Sequence, residues 1–173
     1  DDIITKKYLH NFLDRIIEKT VNQSSQKKNT KNSAAEMLKK AQIAAGDEVL
    51  EIGPGNGFLT RSLLRRGARV TSVEIDPRLC GELKKNFGNQ EAFILVESDV
   101  MQVDPNRLCQ ENPERSKLVA NLPYQIATAL LLRLLPFRNC WKSMTLMVQK
   151  EVADRICATP AQKKNYLLST APF

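Results

Sequence analysis

Apolar residues recur along this chain in two rhythms, and each change of rhythm marks a change of element. Leu9, Phe12, Leu13, Ile16 and Ile17 fall at helical spacing and predict an amphipathic helix over Lys6 to Val21. Asn22 to Asn32 holds no apolar residue and reads as a linker. Ser33, with Glu36 three residues on, forms a capping box for a second helix that carries Met37, Leu38 and Ala41. From Gly46 the pattern switches to short strands separated by helices. The strands are predicted at Glu48 to Ile52, Arg69 to Val73, Ala92 to Val96, Lys117 to Ala120 and Ser143 to Val148. The helices between them are predicted at Gly57 to Arg66, Pro77 to Phe87, Pro105 to Glu111 and Ile126 to Leu135. Such alternation gives an α/β fold: a mostly parallel sheet with helices on both faces, joined by right-handed crossovers. The chain divides into a helical and linker segment, 1–46, and one domain, 47–173.

Composition narrows the class without changing that picture. With 42% hydrophobic and 26% charged residues in 173, the chain resembles an ordinary globular domain rather than a disordered, collagen-like or disulfide-scaffold protein. The longest apolar stretch, Ala127 to Leu135, is interrupted by Arg133, so no membrane span is expected. Cys80, Cys109, Cys140 and Cys157 include no Cys-x-x-Cys, and His10 is the single imidazole, which speaks against a zinc site. These cysteines are expected to be reduced thiols in a reducing compartment, and no secretory signal pattern opens the sequence.

Ligands of parallel α/β sheets bind at the carboxyl ends of the strands, so the turns after each strand are where chemistry is sought. The first strand ends in Glu51-Ile-Gly53-Pro-Gly55-Asn-Gly57, a turn whose glycines let a ligand approach the backbone. The dinucleotide fingerprint requires a small residue where Phe58 stands, which disfavours a nicotinamide or flavin dinucleotide. Glu74 closes the second strand 17 residues after Gly57, where a carboxylate can take both hydroxyls of a ribose. Asp99 follows the third strand; with the Val100 N–H it can complete a nucleoside site, or it can serve as an N-cap or Asx-turn acid. After the fourth strand comes Asn121-Leu122-Pro123-Tyr124, which is either a cleft element or a strand-to-helix turn with proline at the first helical position.

Taken in order and at matching spacing, these motifs resemble the ribosomal RNA adenine dimethyltransferases, which are related to the macrolide-resistance rRNA adenine methyltransferases. The likeness spans residues 47–158: Glu-Ile-Gly-Pro-Gly-x-Gly with Leu59-Thr60, Val73-Glu-Ile-Asp76, Ser98-Asp99-Val100, Ala120-Asn-Leu-Pro-Tyr124 and Val148 to Ile156. The resemblance implies a Rossmann-like class I S-adenosylmethionine-dependent methyltransferase fold whose C-terminal part is absent from this chain. It implies S-adenosyl-L-methionine as cofactor, with no metal, and dimethylation of the adenine exocyclic amine in small-subunit rRNA during ribosome biogenesis. Alternatives within the same fold are a large-subunit enzyme of the macrolide-resistance type and a non-catalytic assembly or organellar transcription factor that binds rRNA.

By that resemblance Glu51, Gly53, Gly55 and Gly57 line the methionine end of the cofactor, Glu74 the ribose with Ile75 beside it, and Asp99 and Val100 the adenine. Asn121, also a cofactor-site residue, would join Leu122, Pro123 and Tyr124 in holding the target base, where paired acceptors draw the amine toward tetrahedral geometry. Gln149 to Ile156 is a family signature with an expected scaffold role. The family's opening Gln-x-Phe-Leu has no counterpart at the expected place, where Ser25-Gln-Lys-Lys28 stands.

Charge fits an RNA partner. Lys and Arg total 26 against 19 Asp and Glu, a net +7; Arg61, Arg65, Arg66 and Arg69 cluster, and Arg133 to Lys164 carries seven basic residues against Glu151 and Asp154. The expected partner is ribosomal RNA or the small ribosomal subunit, engaged by a monomer without a membrane. The expected location is the cytoplasm, or a mitochondrion or plastid after removal of a transit peptide.

Overall fold

β1 (Glu48–Ile52) is buried on both faces because it lies at the middle of the sheet: Val49, Leu50, Glu51 and Ile52 are all essentially buried. The computed structural model describes residues 35, 37–109, 112–122 and 124–148. The chain continues through α1 (Phe58–Arg65), β2 (Arg69–Glu74), α2 (Pro77–Phe87) and β3 (Phe93–Glu97). It then forms α3 (Pro105–Leu108), β4 (Ser116–Asn121), α4 (Tyr124–Leu134), a 3-10 turn (Leu135–Cys140) and β5 (Ser143–Met147). The five strands are parallel in the order β3-β2-β1-β4-β5. β1 therefore leads to β2 on one side and pairs with β4 on the other, so the chain reverses direction across the sheet between β1 and β4. A crevice opens at the carboxyl ends of the strands at such a point.

Each face has its own core. Val49, Val70 and Val119 pack with Leu59 and Leu63 of α1, Leu83 and Phe87 of α2, and Met37 and Leu38. Leu50, Ile52, Leu118 and Ala120 pack with Leu130 and Leu134 of α4 and with Trp141. The start of the sheet is tied by a buried pair: Lys117 Nζ lies 2.9 Å from Asp47 Oδ2 and donates to the Gln42 carbonyl at 2.7 Å. Asp47 also accepts from Ala44 N at 2.8 Å, so neither charge is left without a partner.

All five strands and four helices of the domain form where the pattern predicts, within a few residues. Gly57 and Arg66 become the caps of α1 rather than part of it, and α3 ends at Leu108 instead of Glu111. The 3-10 turn was not predicted, because Pro136 interrupts the apolar periodicity after α4. The predicted helix Lys6 to Val21, the Asn22 to Asn32 linker, the Ser33 and Glu36 capping box and the Gln149 to Ile156 signature lie outside the described residues.

The cysteines need one correction. Cys109 and Cys140 are joined in a disulfide, Cα to Cα 5.2 Å, contrary to the expectation of reduced thiols. Their separation of 31 residues carries no pairing signal; the fold brings the end of α3 to the end of the 3-10 turn. Cys80 is a buried free thiol, as expected, and Cys157 lies outside the described residues. Closing a loop of 31 residues constrains the unfolded chain by about 3–4 kcal/mol. Reduction, or the Cys109→Ser/Cys140→Ser double substitution, is expected to lower the denaturation midpoint correspondingly. A wild-type midpoint unmoved by dithiothreitol would contradict the pairing.

Candidate active site

The turn after β1 runs straight into α1, and its last glycine is fixed by packing. Gly57 caps α1 at φ 75°, and a Cβ there would lie 2.6 Å from the Phe87 ring and 3.0 Å from Leu83. Only glycine lets α1 seat this closely on α2. Gly55 differs: a Cβ there would meet nothing within 4 Å, so the turn is open above it. A Cβ on Gly53 would lie 3.8 Å from the Asn121 carbonyl, which places the turn beside the end of β4. The β1 turn and the β4 turn thus meet at the crevice.

Glu74 is the best-anchored acid of the site. Its Oε1 accepts from Ile75 N at 2.9 Å and Asp76 N at 3.0 Å, and its Oε2 accepts from Gly55 N at 3.2 Å. Three backbone donors therefore hold one carboxylate between the end of β2 and the middle of the glycine turn. Ile75 stands out beside it, 65% exposed, and Asp76 caps α2 by accepting from Arg78 N and Leu79 N.

Asp99 does what the plainer of its two readings expects: Oδ1 accepts from Met101 N at 2.8 Å in an Asx turn. That bond uses one oxygen, and the other has no hydrogen-bond partner among the described residues. Val100 buries its side chain in the second core, while its backbone N–H has no partner among the described residues. Asn121 ends β4 with its side chain exposed. The next residue is locked, because Leu122 N donates to the Met147 carbonyl at 3.0 Å and its side chain is buried. Tyr124 begins α4, and Pro123 lies outside the described residues.

Glu51, expected at the methionine end of the cofactor, has its carboxyl held between α1 and β2 and is 1% exposed. Oε2 accepts from Thr60 Oγ1 and Ser72 Oγ, each at 2.7 Å, while Oε1 is buried without a partner. Burial pushes this carboxyl up to about 7, against the opposing pull of the Thr60 and Ser72 hydroxyls, and the Glu74 charge adds a smaller push. Thr60 stands in the motif without an assigned role, and Ser72 was not singled out by sequence. The available signal was polarity at inward positions, since Thr60 lies on the buried face of α1 and Ser72 pairs with Glu51 across the sheet.

Residues 23–171 match the sequence family described as Ribosomal RNA adenine dimethylase. The Ribosomal RNA small subunit methyltransferase A of Synechococcus elongatus is 42% identical over 137 residues, a match covering 75% of this chain and 49% of that protein. The crystal structure of a dimethyladenosine transferase from Plasmodium falciparum superposes with a TM-score of 0.62 at 32% identity, over 74% of this chain and 45% of that one. That of the 23S rRNA methyltransferase ErmE does so with a TM-score of 0.52 at 30% identity, over 66% and 42%. The chain spans about half the length of the curated relatives it matches.

Glu51 makes stability depend on pH in a defined direction. Its carboxyl titrates near 4.5 when unfolded and near 7 when folded, so the folded chain holds the proton more tightly between those values. The contribution of this group is full below about 4.5, declines as pH rises toward 7, and is absent above. Glu51→Gln is expected to flatten the thermal midpoint across that window, measured by circular dichroism. Identical pH profiles for the two proteins would contradict the assignment.

Proposed function

The chain belongs to the ribosomal RNA adenine dimethylase family, and from that premise we propose that it transfers two methyl groups from S-adenosyl-L-methionine to the exocyclic amine of an adenine in small-subunit ribosomal RNA. The observation that carries this reading is the fixed Glu74 carboxylate beside an open glycine turn, with Asn121 adjoining that turn. The donor and acceptor set suits the cofactor. Glu74 retains lone pairs for a ribose diol, the second oxygen of Asp99 accepts from an adenine amine, and the Val100 N–H donates to the ring. Ile75 supplies an exposed apolar surface beside them.

When bound, the cofactor supplies a methyl group on a sulfonium. The protein's task is then placement. The adenine amine is a weak nucleophile because its lone pair is delocalised into the ring, and Asn121 provides an acceptor for one of its protons. Pro123 and Tyr124 are assigned to the base itself, Tyr124 as the aromatic surface. Locking of Leu122 by the Met147 carbonyl and by its core side chain fixes where Asn121 stands. A duplex adenine cannot reach such a cleft, so the target is unpaired or flipped out.

Two substitutions separate the roles. Glu74→Ala is expected to weaken S-adenosylmethionine affinity by about tenfold or more, because the ribose loses its acceptor and the glycine turn loses its anchor. Asn121→Ala is expected to lower methyl transfer by about a hundredfold or more while leaving calorimetric cofactor affinity near wild type. Full turnover by Asn121→Ala would overturn the catalytic assignment, and unchanged affinity in Glu74→Ala would overturn the ribose site.

A further inference from the structure

Between Glu51 and Glu74 the sequence contains four arginines, Arg61, Arg65, Arg66 and Arg69, and no carboxylate. α1 sorts them by face. Leu59, Thr60 and Leu63 turn inward, whereas Phe58, Arg61 and Arg65 share an exposed strip on the opposite side. Phe58 is 41% exposed at the first position of the helix, directly after Gly57 and therefore at the rim of the crevice. Arg61 is held over the Phe87 ring at 5.7 Å, which orients its guanidinium without neutralising it. Arg61, Arg65 and Arg69 have no carboxylate partner among the described residues, and Arg66 donates only to the Leu38 carbonyl at 3.4 Å.

An ordinary solvated helix intersperses acids with its bases at spacings of three and four, which offsets the repulsion. α1 has no acid at all, and its cations are all arginines, whose planar fork matches phosphate. A large ring is left in water at the end nearest the site. Arginines in a row beside an exposed aromatic form the pattern that binds a single strand: cations follow the backbone and the ring stacks a base.

We propose that the outer face of α1 is an RNA-docking surface that guides the strand carrying the target adenine to the crevice. Phe58 stacks an unpaired base neighbouring the target, and Arg61 and Arg65 take successive phosphates leading away from the rim. This rests on the methyltransferase reading above, and names how its substrate is held rather than how it reacts. A membrane surface fits less well, because Phe58 is the single large apolar side chain that this strip exposes.

The test measures fluorescence-anisotropy affinity for a labelled ribosomal RNA hairpin with unpaired loop adenines, at several salt concentrations. Arg61→Gln/Arg65→Gln is expected to weaken binding about tenfold or more at low salt and to reduce the salt slope of log K by about 2. Phe58→Ala is expected to weaken binding roughly tenfold with the slope unchanged. Calorimetric S-adenosylmethionine affinity and the thermal midpoint stay at wild type in both variants, which separates docking from misfolding and from the cofactor site. Wild-type affinity and slope in the variants would overturn the proposal, as would loss of binding to phosphatidylserine vesicles in place of loss of binding to RNA. If the wild-type protein binds the hairpin but never methylates it, the catalytic reading fails and the docking surface is judged by the variants alone.

Discussion

One carboxylate joins the parts of this site. Glu74 closes β2, yet its two oxygens are taken by the N–H groups of Ile75, Asp76 and Gly55, so the end of β2 and the turn after β1 form a single unit. A free carboxylate at a strand end would sample several rotamers and lose entropy on binding. This one has given up that freedom on folding, so its acceptors are already in place for the ribose proposed to bind there. The backbone of the same residue extends the unit further, because the Glu74 carbonyl accepts from Ser98 N at 2.9 Å and so places the turn that carries Asp99.

Beneath the glycine turn the constraint is steric and electrostatic at once. Gly57 lets α1 close on Phe87 and Leu83, and Glu51 uses the same helix differently, by accepting from Thr60 while also accepting from Ser72 of β2. A buried carboxyl is costly when charged, and two hydroxyl donors offset only part of that cost. The turn is therefore supported by side chains that are themselves almost fully buried. Across the crevice, the paired ends of β4 and β5 fix Leu122, and through it Asn121. The two sides of the crevice are in this way built on strands that meet where β1 and β4 pair.

Much of this was legible in the sequence, and the exceptions have physical causes. Strand and helix positions followed from the apolar rhythm, and Gly55, Glu74, Asp99 and Asn121 fall at strand ends because β-α alternation dictates where turns lie. The inward turn of Glu51 was not legible. Acids are rarely buried, and only the register that sets Glu51 opposite Ser72, with Thr60 overhead, makes burial tolerable. The Cys109–Cys140 link was equally hidden, since it depends on a 3-10 turn that Pro136 creates and on two segments far apart in the chain. Asp99 lay between: its Asx turn engages Oδ1 alone, so that reading and the proposed ligand role are compatible.

The most direct measurement is methyl transfer from radiolabelled S-adenosylmethionine to small ribosomal subunits lacking the modification, followed by digestion to nucleosides and chromatography. Label eluting as dimethyladenosine is the expected result. Cofactor binding confirmed in parallel with no label in adenosine derivatives would contradict the assignment of Asn121 and its neighbours to catalysis.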